Sequence, residues 1–339
     1  MKKLTKAIKY GMNILKHRPK GSYSFFLDAL SYFSRSNRIL GMPVNITIEP
    51  TNVCNQRCPV CETGAGILGR KKEFMSLENF KGIIDQVVPW TNSLIFYFMG
   101  EPFLNKEAYE MISYAKSKDI FITTCTNGQF VDPKKVLESG LDEISFQIGG
   151  MSQATHERYR VGGNLKQTLD NLNELIRLKK ESQNTHLKVI MGFIVMKHNE
   201  HEVIKFRHWA NEVGVDDAQV ISPCVRNYQQ GLEFLPEDDR YWFYDRQAFE
   251  REKILRPKIM LKNNCSWIYF STTIQVNGDV VPCCRDPNGK YVMGNVLEEK
   301  LEDIWNNNRY VSFRQQLHKD IRKISICRLC SSFGVPRLH

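Results

Sequence analysis

Apolar residues gather in six short stretches along this chain, and between the stretches they recur every three or four positions. The first stretch, Val44-Asn45-Ile46-Thr47-Ile48-Glu49-Pro50, alternates as a buried strand does, and Pro50, Thr51 and Asn52 stop it. The same reading predicts strands at Ser93 to Met99, Ile120 to Cys125, Glu143 to Ile148, His186 to Met196 and Ala218 to Ile221. Helical spacing fills the gaps. Ser76 suits the N-cap of a helix to about Val88, and further helices fall near Lys106 to Ser117, after Asp132, at Leu165 to Lys180 and at Glu200 to Val213. Strands alternating with helices argue an α/β fold with a parallel sheet and right-handed crossovers. Such sheets bring ligands to the C-terminal ends of their strands.

Two amphipathic patterns precede the first strand. Leu4, Ile8, Met12 and Leu15 share one helical face; Phe26, Leu30 and Phe33 share another, with Phe25 and Leu27 beside them. The first 21 residues hold Lys2, Lys3, Lys6, Lys9, Lys16, Arg18 and Lys20 and no acid, which accounts for most of the net charge of +10. The remainder is close to balanced, so a general nucleic-acid-binding protein is not indicated. Basic helix faces are commonly just solvated, and both helices could pack over the main domain. The alternative is peripheral contact with an anionic membrane. Nothing approaches the roughly 18 apolar residues of a membrane span, and no signal-peptide core is present.

The cysteines change the picture most. There are ten in 339 residues, which fits a metal site in a reducing, cytoplasmic compartment better than disulfides. Cys54-Asn55-Gln56-Arg57-Cys58-Pro59-Val60-Cys61 places three thiols, spaced C-x3-C-x2-C, on the loop leaving the first strand. Core cysteines are the bland reading, and a loop is poor core material. Three thiolates are one short of what a structural zinc or a four-iron cluster takes, which leaves a place for another ligand. A second set follows late in the chain: Cys265, Cys283, Cys284, Cys327 and Cys330, around strand-like alternation from Ile268 to Val276 and an Asn277-Gly278 hairpin turn. Two thiolates beside a hairpin and two from C-x2-C make a four-ligand site, for zinc or for a cluster.

The first cysteine motif, on this kind of loop, resembles the radical S-adenosylmethionine (radical SAM) superfamily. Gly100-Glu101-Pro102 resembles that family's GGEP turn, with Met99 in place of the first glycine. The resemblance implies a partial (β/α)6 TIM-type barrel and a [4Fe–4S] cluster on Cys54, Cys58 and Cys61, with SAM chelating the fourth iron. It implies SAM contacts from Val60, Gly100, Glu101, Pro102, Asn127, Ser145, Gln147 and Asn199, and from Arg158 or Arg160. Many relatives have Ser-x-Asp-Gly where this chain has Ser145-Phe146-Gln147-Ile148-Gly149. Gly278-x4-Cys283, Gly294-Asn295-Val296, Ile304-Trp305-Asn306 and Cys327-x2-Cys330 resemble SPASM and twitch extensions. That implies one auxiliary [4Fe–4S] cluster on Cys265, Cys283, Cys327 and Cys330, with Cys284 a substitute for Cys283. The domain division expected is 1–43 helical, 44–224 radical SAM core, 225–264 a helical link and 265–339 a small α+β SPASM/twitch-like domain.

The family chemistry implied is reductive cleavage of SAM to a 5′-deoxyadenosyl radical that abstracts hydrogen from substrate, with an external reductant such as flavodoxin or ferredoxin. Loss of an electron to the auxiliary cluster would give dehydrogenation; hydrogen return from a thiol would give epimerisation, and Cys224, after the sixth strand, is a candidate donor. The leading expectation is a small or lipid-linked polar substrate, such as a sugar, cyclitol or glycolipid. The alternatives are a peptide or protein substrate, and a non-catalytic iron–sulfur electron-transfer protein.

Overall fold

The computed structural model describes residues 19–259, 261–331 and 337–338. The amphipathic pattern from Leu4 to Leu15 lies outside the described residues. The chain enters through a helix, α1 (Pro19–Phe33), and then alternates. Strands β1 (Asn45–Ile48), β2 (Ser93–Ile95), β3 (Phe121–Thr126), β4 (Glu143–Ile148), β5 (Lys188–Ile194) and β6 (Asp217–Ile221) are separated by α2 (Leu77–Val87), α3 (Ala108–Ser117), α4 (Pro133–Glu138), α5 (Gln153–Tyr159), α6 (Leu165–Glu181) and α7 (Val203–Val213). All five consecutive pairings are parallel, and the strands lie in sequence order. That order, with helical crossovers, is the one a (β/α) barrel uses.

The register explains which residues reach the site. Ile144, Phe146 and Ile148 pair with Val189, Met191 and Phe193, and all six are buried in the main core with the helices. Successive side chains point to opposite faces. The other face therefore carries Thr47, Thr123, Cys125, Ser145 and Gln147, a polar lining inside an apolar shell. The caps read from sequence are present: Ser76 Oγ accepts from Asn79 N, and Asp132 Oδ1 accepts from Lys134 N and Lys135 N.

The C-terminal quarter does not stand apart from this sheet. After helix α8 (Tyr228–Phe234), a single helical turn α9 (Trp267–Phe270) leads into β7 (Ser271–Ile274), which pairs in parallel with the free edge of β1. Antiparallel β8 (Asp279–Val281) and β9 (Gly294–Asn295) extend that edge, and β10 (Arg337–Leu338) pairs with β6 at the other. Helices α10 (Leu301–Trp305) and α11 (Asn308–Asp320) complete the core, with Trp305, Tyr310 and Phe313 buried in the same cluster as β1.

Three stretches differ from the pattern read in the sequence. β2 ends at Ile95 rather than Met99, because Met99 N turns to Glu49 Oε1 and Gly100 takes φ +78°. Residues 267–270 are helical rather than extended: Ser266 O accepts from both Tyr269 N and Phe270 N. The 225–264 link is mostly irregular. Its aromatic side chains, Trp242, Phe243, Tyr244 and Phe249, pack in a second apolar cluster with Cys58 and Val60 instead of along a helix.

Candidate radical-generating site

The cysteine loop follows β1 directly and is fastened on every side. Arg57 N donates to Val161 O and Glu101 N to Val53 O. Asn127 Nδ2 donates to Asn55 Oδ1 at 2.7 Å, while Asn55 Nδ2 and Gln56 Nε2 both donate to Gln129 Oε1. Gly100 closes the loop from the β2 side. A Cβ there would come within 2.5 Å of Thr51 O, and the positive φ already favours glycine. The β2 turn therefore reaches the cysteine loop only because residue 100 has no side chain.

Cys54, Cys58 and Cys61 are all free thiols, Cys58 buried and the others half-buried. Gln56 N points at Cys54 Sγ at 3.4 Å, and Arg160 Nη1 lies 3.9 Å from Cys58 Sγ. Burial, with the neighbouring thiols adding to it, pushes the Cys54 thiol up to about 12 and raises Cys61 as well. Such thiols ionise when a cation sits among them. Among the described residues no three His, Cys, Asp or Glu side chains close on a single ion.

The residues singled out in sequence separate into two kinds. Val60 is buried beside Cys58. Ser145 Oγ accepts from Gln147 Nε2 at 2.8 Å, and Gly192 on β5 leaves the room for that amide. Arg160 lies against the cysteine loop and over the Tyr159 ring, whereas Arg158 is exposed. Glu101 and Asn199 are spent on the chain itself. The Glu101 carboxylate is buried and accepts from Thr126 Oγ1, Asn127 N and Phe103 N, and burial raises it. Asn199 donates to Gly149 O and Ile194 O and accepts from Met196 N. Pro102 opens a one-turn 3-10 helix just beyond.

Several residues in the site carry no sequence motif. Arg226 donates to the carbonyls of Val60 and Pro59, and Gln230 Nε2 also reaches Pro59 O. The link thus holds the cysteine motif by its backbone. Glu49, fully buried, accepts a two-bond fork from Arg70 at 2.7 Å and also accepts from Met99 N and Val276 N. Arg70 Nε continues to Pro287 O, so one ion pair ties β1, the β2 turn and the C-terminal hairpin together. His156 is buried; its Nδ1 accepts from Gly149 N, and burial beside Arg160 drops it to about 3, a neutral imidazole. A groove of about 850 Å³ runs along Met151, Gly162, Gly163 and Lys166, and no cysteine lines it.

The second cysteine set gathers at the other side of the hairpin. Cys283 is pushed well up by burial, next by Cys284, then by Cys327 and Cys265; Cys284 goes up to about 11 with Cys330 and Cys265 near it. Both candidates therefore face the set. Arg285 bridges it to the rest of the site: its Nη2 donates to Leu329 O at 2.8 Å, and its charge offsets part of the rise that burial gives the Cys224 thiol. Cys224, Cys61 and Leu329 each pack against the second apolar cluster.

Known proteins of this kind match both halves. Residues 48–210 match the radical SAM superfamily and residues 265–331 an iron–sulfur cluster-binding domain, SPASM. An S-adenosyl-L-methionine-dependent 2-deoxy-scyllo-inosamine dehydrogenase of Niallia circulans is 41% identical over 63 residues, 18% of this chain and 25% of that protein. The PqqA peptide cyclase of Gluconobacter oxydans is 23% identical over 78% of this chain and 76% of its own. Among solved structures, BtrN in complex with AdoMet and 2-DOIA superposes with TM-score 0.52 at 18% identity, covering 86% of this chain and 92% of BtrN. The three-thiol loop at the end of β1, the glycine turn at the end of β2 and the second cysteine set around the hairpin thus have one common setting: this chain belongs to the radical SAM superfamily and carries a SPASM iron–sulfur domain.

Proposed function

We propose that this protein is an enzyme that takes a hydrogen atom from a small or lipid-linked polar substrate of the sugar, cyclitol or glycolipid class, ending in dehydrogenation or epimerisation. The observation that carries the reading is the cysteine loop itself. Three free thiols sit on a loop whose backbone is held by Arg226, Glu101 and Val161. The family implies a [4Fe–4S] cluster and SAM here, and the residues fit them. Soft thiolates suit iron–sulfur ligation, and Gly100 gives backbone approach at the strand end.

When bound and reduced by an external donor such as flavodoxin or ferredoxin, the cluster and SAM supply the hydrogen-abstracting radical. The chain's own groups do the rest. Cys54, Cys58 and Cys61 hold the cluster, and Cys265, Cys283, Cys327 and Cys330 hold the second one. Arg160, the only one of the two candidate arginines beside the loop, supplies a guanidinium for a carboxylate. Ser145 and Gln147 offer hydroxyl and amide groups to a polar ligand in the sheet lining. The apolar link, with Trp242, Phe243 and Phe249, excludes water from Cys58 and Val60.

A peptide or protein substrate is the second reading. One finding favours it: the peptide cyclase aligns over 78% of this chain, and the dehydrogenase over 18%. Reconstituted protein with dithionite and SAM separates the two. Formation of 5′-deoxyadenosine should rise with amino-cyclitols or sugars and not with peptides; no 5′-deoxyadenosine under any condition overturns the enzymatic reading. Cys224, if it returns hydrogen to a substrate radical, should introduce solvent deuterium into an epimerised product. Full turnover by Cys224→Ala in deuterated water removes it from that role.

A further inference from the structure

Helix α1 is turned inside out. Ser24, Asp28 and Ser31 face inward at 6%, 0% and 0% exposure, while Tyr23, Phe26, Leu30 and Phe33 stand 66%, 58%, 45% and 81% exposed. The inward serines hold the helix in place: Ser24 Oγ accepts from Met42 N, and Ser31 Oγ accepts from Leu40 N and donates to Leu27 O. The stripe of rings is therefore not a misplaced core face: Ser24 and Ser31 have backbone partners inside. A contiguous apolar stripe left to water marks a docking surface.

Charge identifies what docks. The seven Lys and Arg of the first 21 residues, with no acid among them, run straight into α1. Beyond its other end, the loop presents exposed Arg35 and Arg38 and the side chain of Leu40. The one carboxylate of α1, Asp28, is buried on the inward side. A stripe of aromatic and leucine side chains, bounded at both ends by cations and free of exposed carboxylates, complements a lipid surface with anionic headgroups. Rings seat at the headgroup boundary and basic residues add attraction from the surface potential.

We propose that α1, together with the basic segment before it, docks this protein peripherally on an anionic lipid bilayer. The placement of α1 fixes the orientation. Gly21 abuts the Asn92 side chain just before β2, and Gly41, just before β1, abuts Asp28. The stripe thus lies by the N-terminal ends of β1 and β2, away from the cysteine loop, and docking leaves that loop open to solution. Docking is independent of the substrate's class and of SAM cleavage.

Sedimentation of the full chain with vesicles tests this. The chain should pellet with phosphatidylglycerol–phosphatidylcholine vesicles and bind pure phosphatidylcholine vesicles at least about tenfold more weakly, with the difference shrinking in high salt. The double substitution Phe26→Ser and Phe33→Ser, at exposed positions, should weaken binding to anionic vesicles about tenfold or more while leaving the melting temperature unchanged. Phe33→Trp should blue-shift its emission on anionic vesicles. Recovery of the chain in the supernatant, or unchanged binding by the double variant, overturns the proposal. So does a dimer that the double variant turns into a monomer, which would make the stripe a self-association face. A blue-shifted Phe33→Trp emission without lipid that shifts red when residues 1–18 are deleted would show the chain's own N-terminus covering the stripe, with the same consequence.

Discussion

The two cysteine sets are built by opposite means. The first hangs on a loop after a parallel strand, and its surroundings are polar: four amides of Asn55, Gln56, Asn127 and Gln129 are bonded to one another, and a guanidinium reaches Cys58. The second lies around an antiparallel hairpin; burial raises Cys283 and Cys284 there, as it raises Cys54 and Cys61 in the first. A polar, loop-built site can exchange ligands each turnover, because its groups are satisfied with or without them. A hairpin-built site with enough thiols of its own to complete a cluster needs no further ligand. We propose on this difference that the first set serves radical generation and the second electron handling.

Removing one thiol from each set should break that comparison most sharply. Cys58→Ala should abolish 5′-deoxyadenosine formation. Cys327→Ala should leave SAM cleavage measurable while product formation disappears, with iron falling by about half in either case if each set carries one cluster. Equal loss of SAM cleavage in both variants would remove the division of labour. The same iron assay separates two neighbours: Cys283→Ala should lose the second cluster, and Cys284→Ala should keep it.

The next effect concerns what joins the sets. Glu49 and Arg70, 0% and 11% exposed, connect β1, the β2 turn and Pro287 of the hairpin. Arg70→Met leaves a buried carboxylate without its cation, a loss of about 3 kcal/mol or more. We expect a lower urea midpoint for the cluster-free chain and poorer assembly of both clusters together. A variant that loses only one cluster would show the sets to be mechanically independent.

Much of this contrast is legible in the chain because short-range chemistry sets it. The C-x3-C-x2-C spacing and the caps at Ser76 and Asp132 depend on neighbours within a few residues. What could not be read depends on distant partners. Arg158 and Arg160 look alike in sequence, and only the turn at the end of α5 puts one against Cys58 and the other in solvent. Glu101 is singled out in sequence by its turn, and the partners of its carboxylate, Thr126 and Asn127, lie a strand away. Residues 267–270 are buried on more than one side, Ile268 and Tyr269 together, so periodicity cannot tell a turn of helix from strand. α1 misleads most, since Phe26, Leu30 and Phe33 have the spacing of a core face, and serines and a carboxylate take the inside instead.

The smallest predicted effect lies in the first site alone. His156 is fully buried on α5, accepts from Gly149 N through Nδ1, and sits where a Cβ on Gly163 would touch its Nε2. Burial, then the charge of Arg160, lowers its pKa from 6.5 to about 3. The folded chain then binds fewer protons than the unfolded chain between those values, so stability is fully present above pH 6.5 and declines as pH falls toward 3. Each pH unit within that window costs at most about 1.4 kcal/mol. His156→Gln keeps an acceptor for Gly149 N and removes the titration. Between pH 6.5 and 5, the urea midpoint of the cluster-free wild-type chain should therefore fall further than that of the variant. Parallel decline of the two would place the acid sensitivity elsewhere. A smaller wild-type decline would mean that His156 gains a proton partner on folding, and the polar character assigned to the first site would then include a charged imidazole beside Arg160.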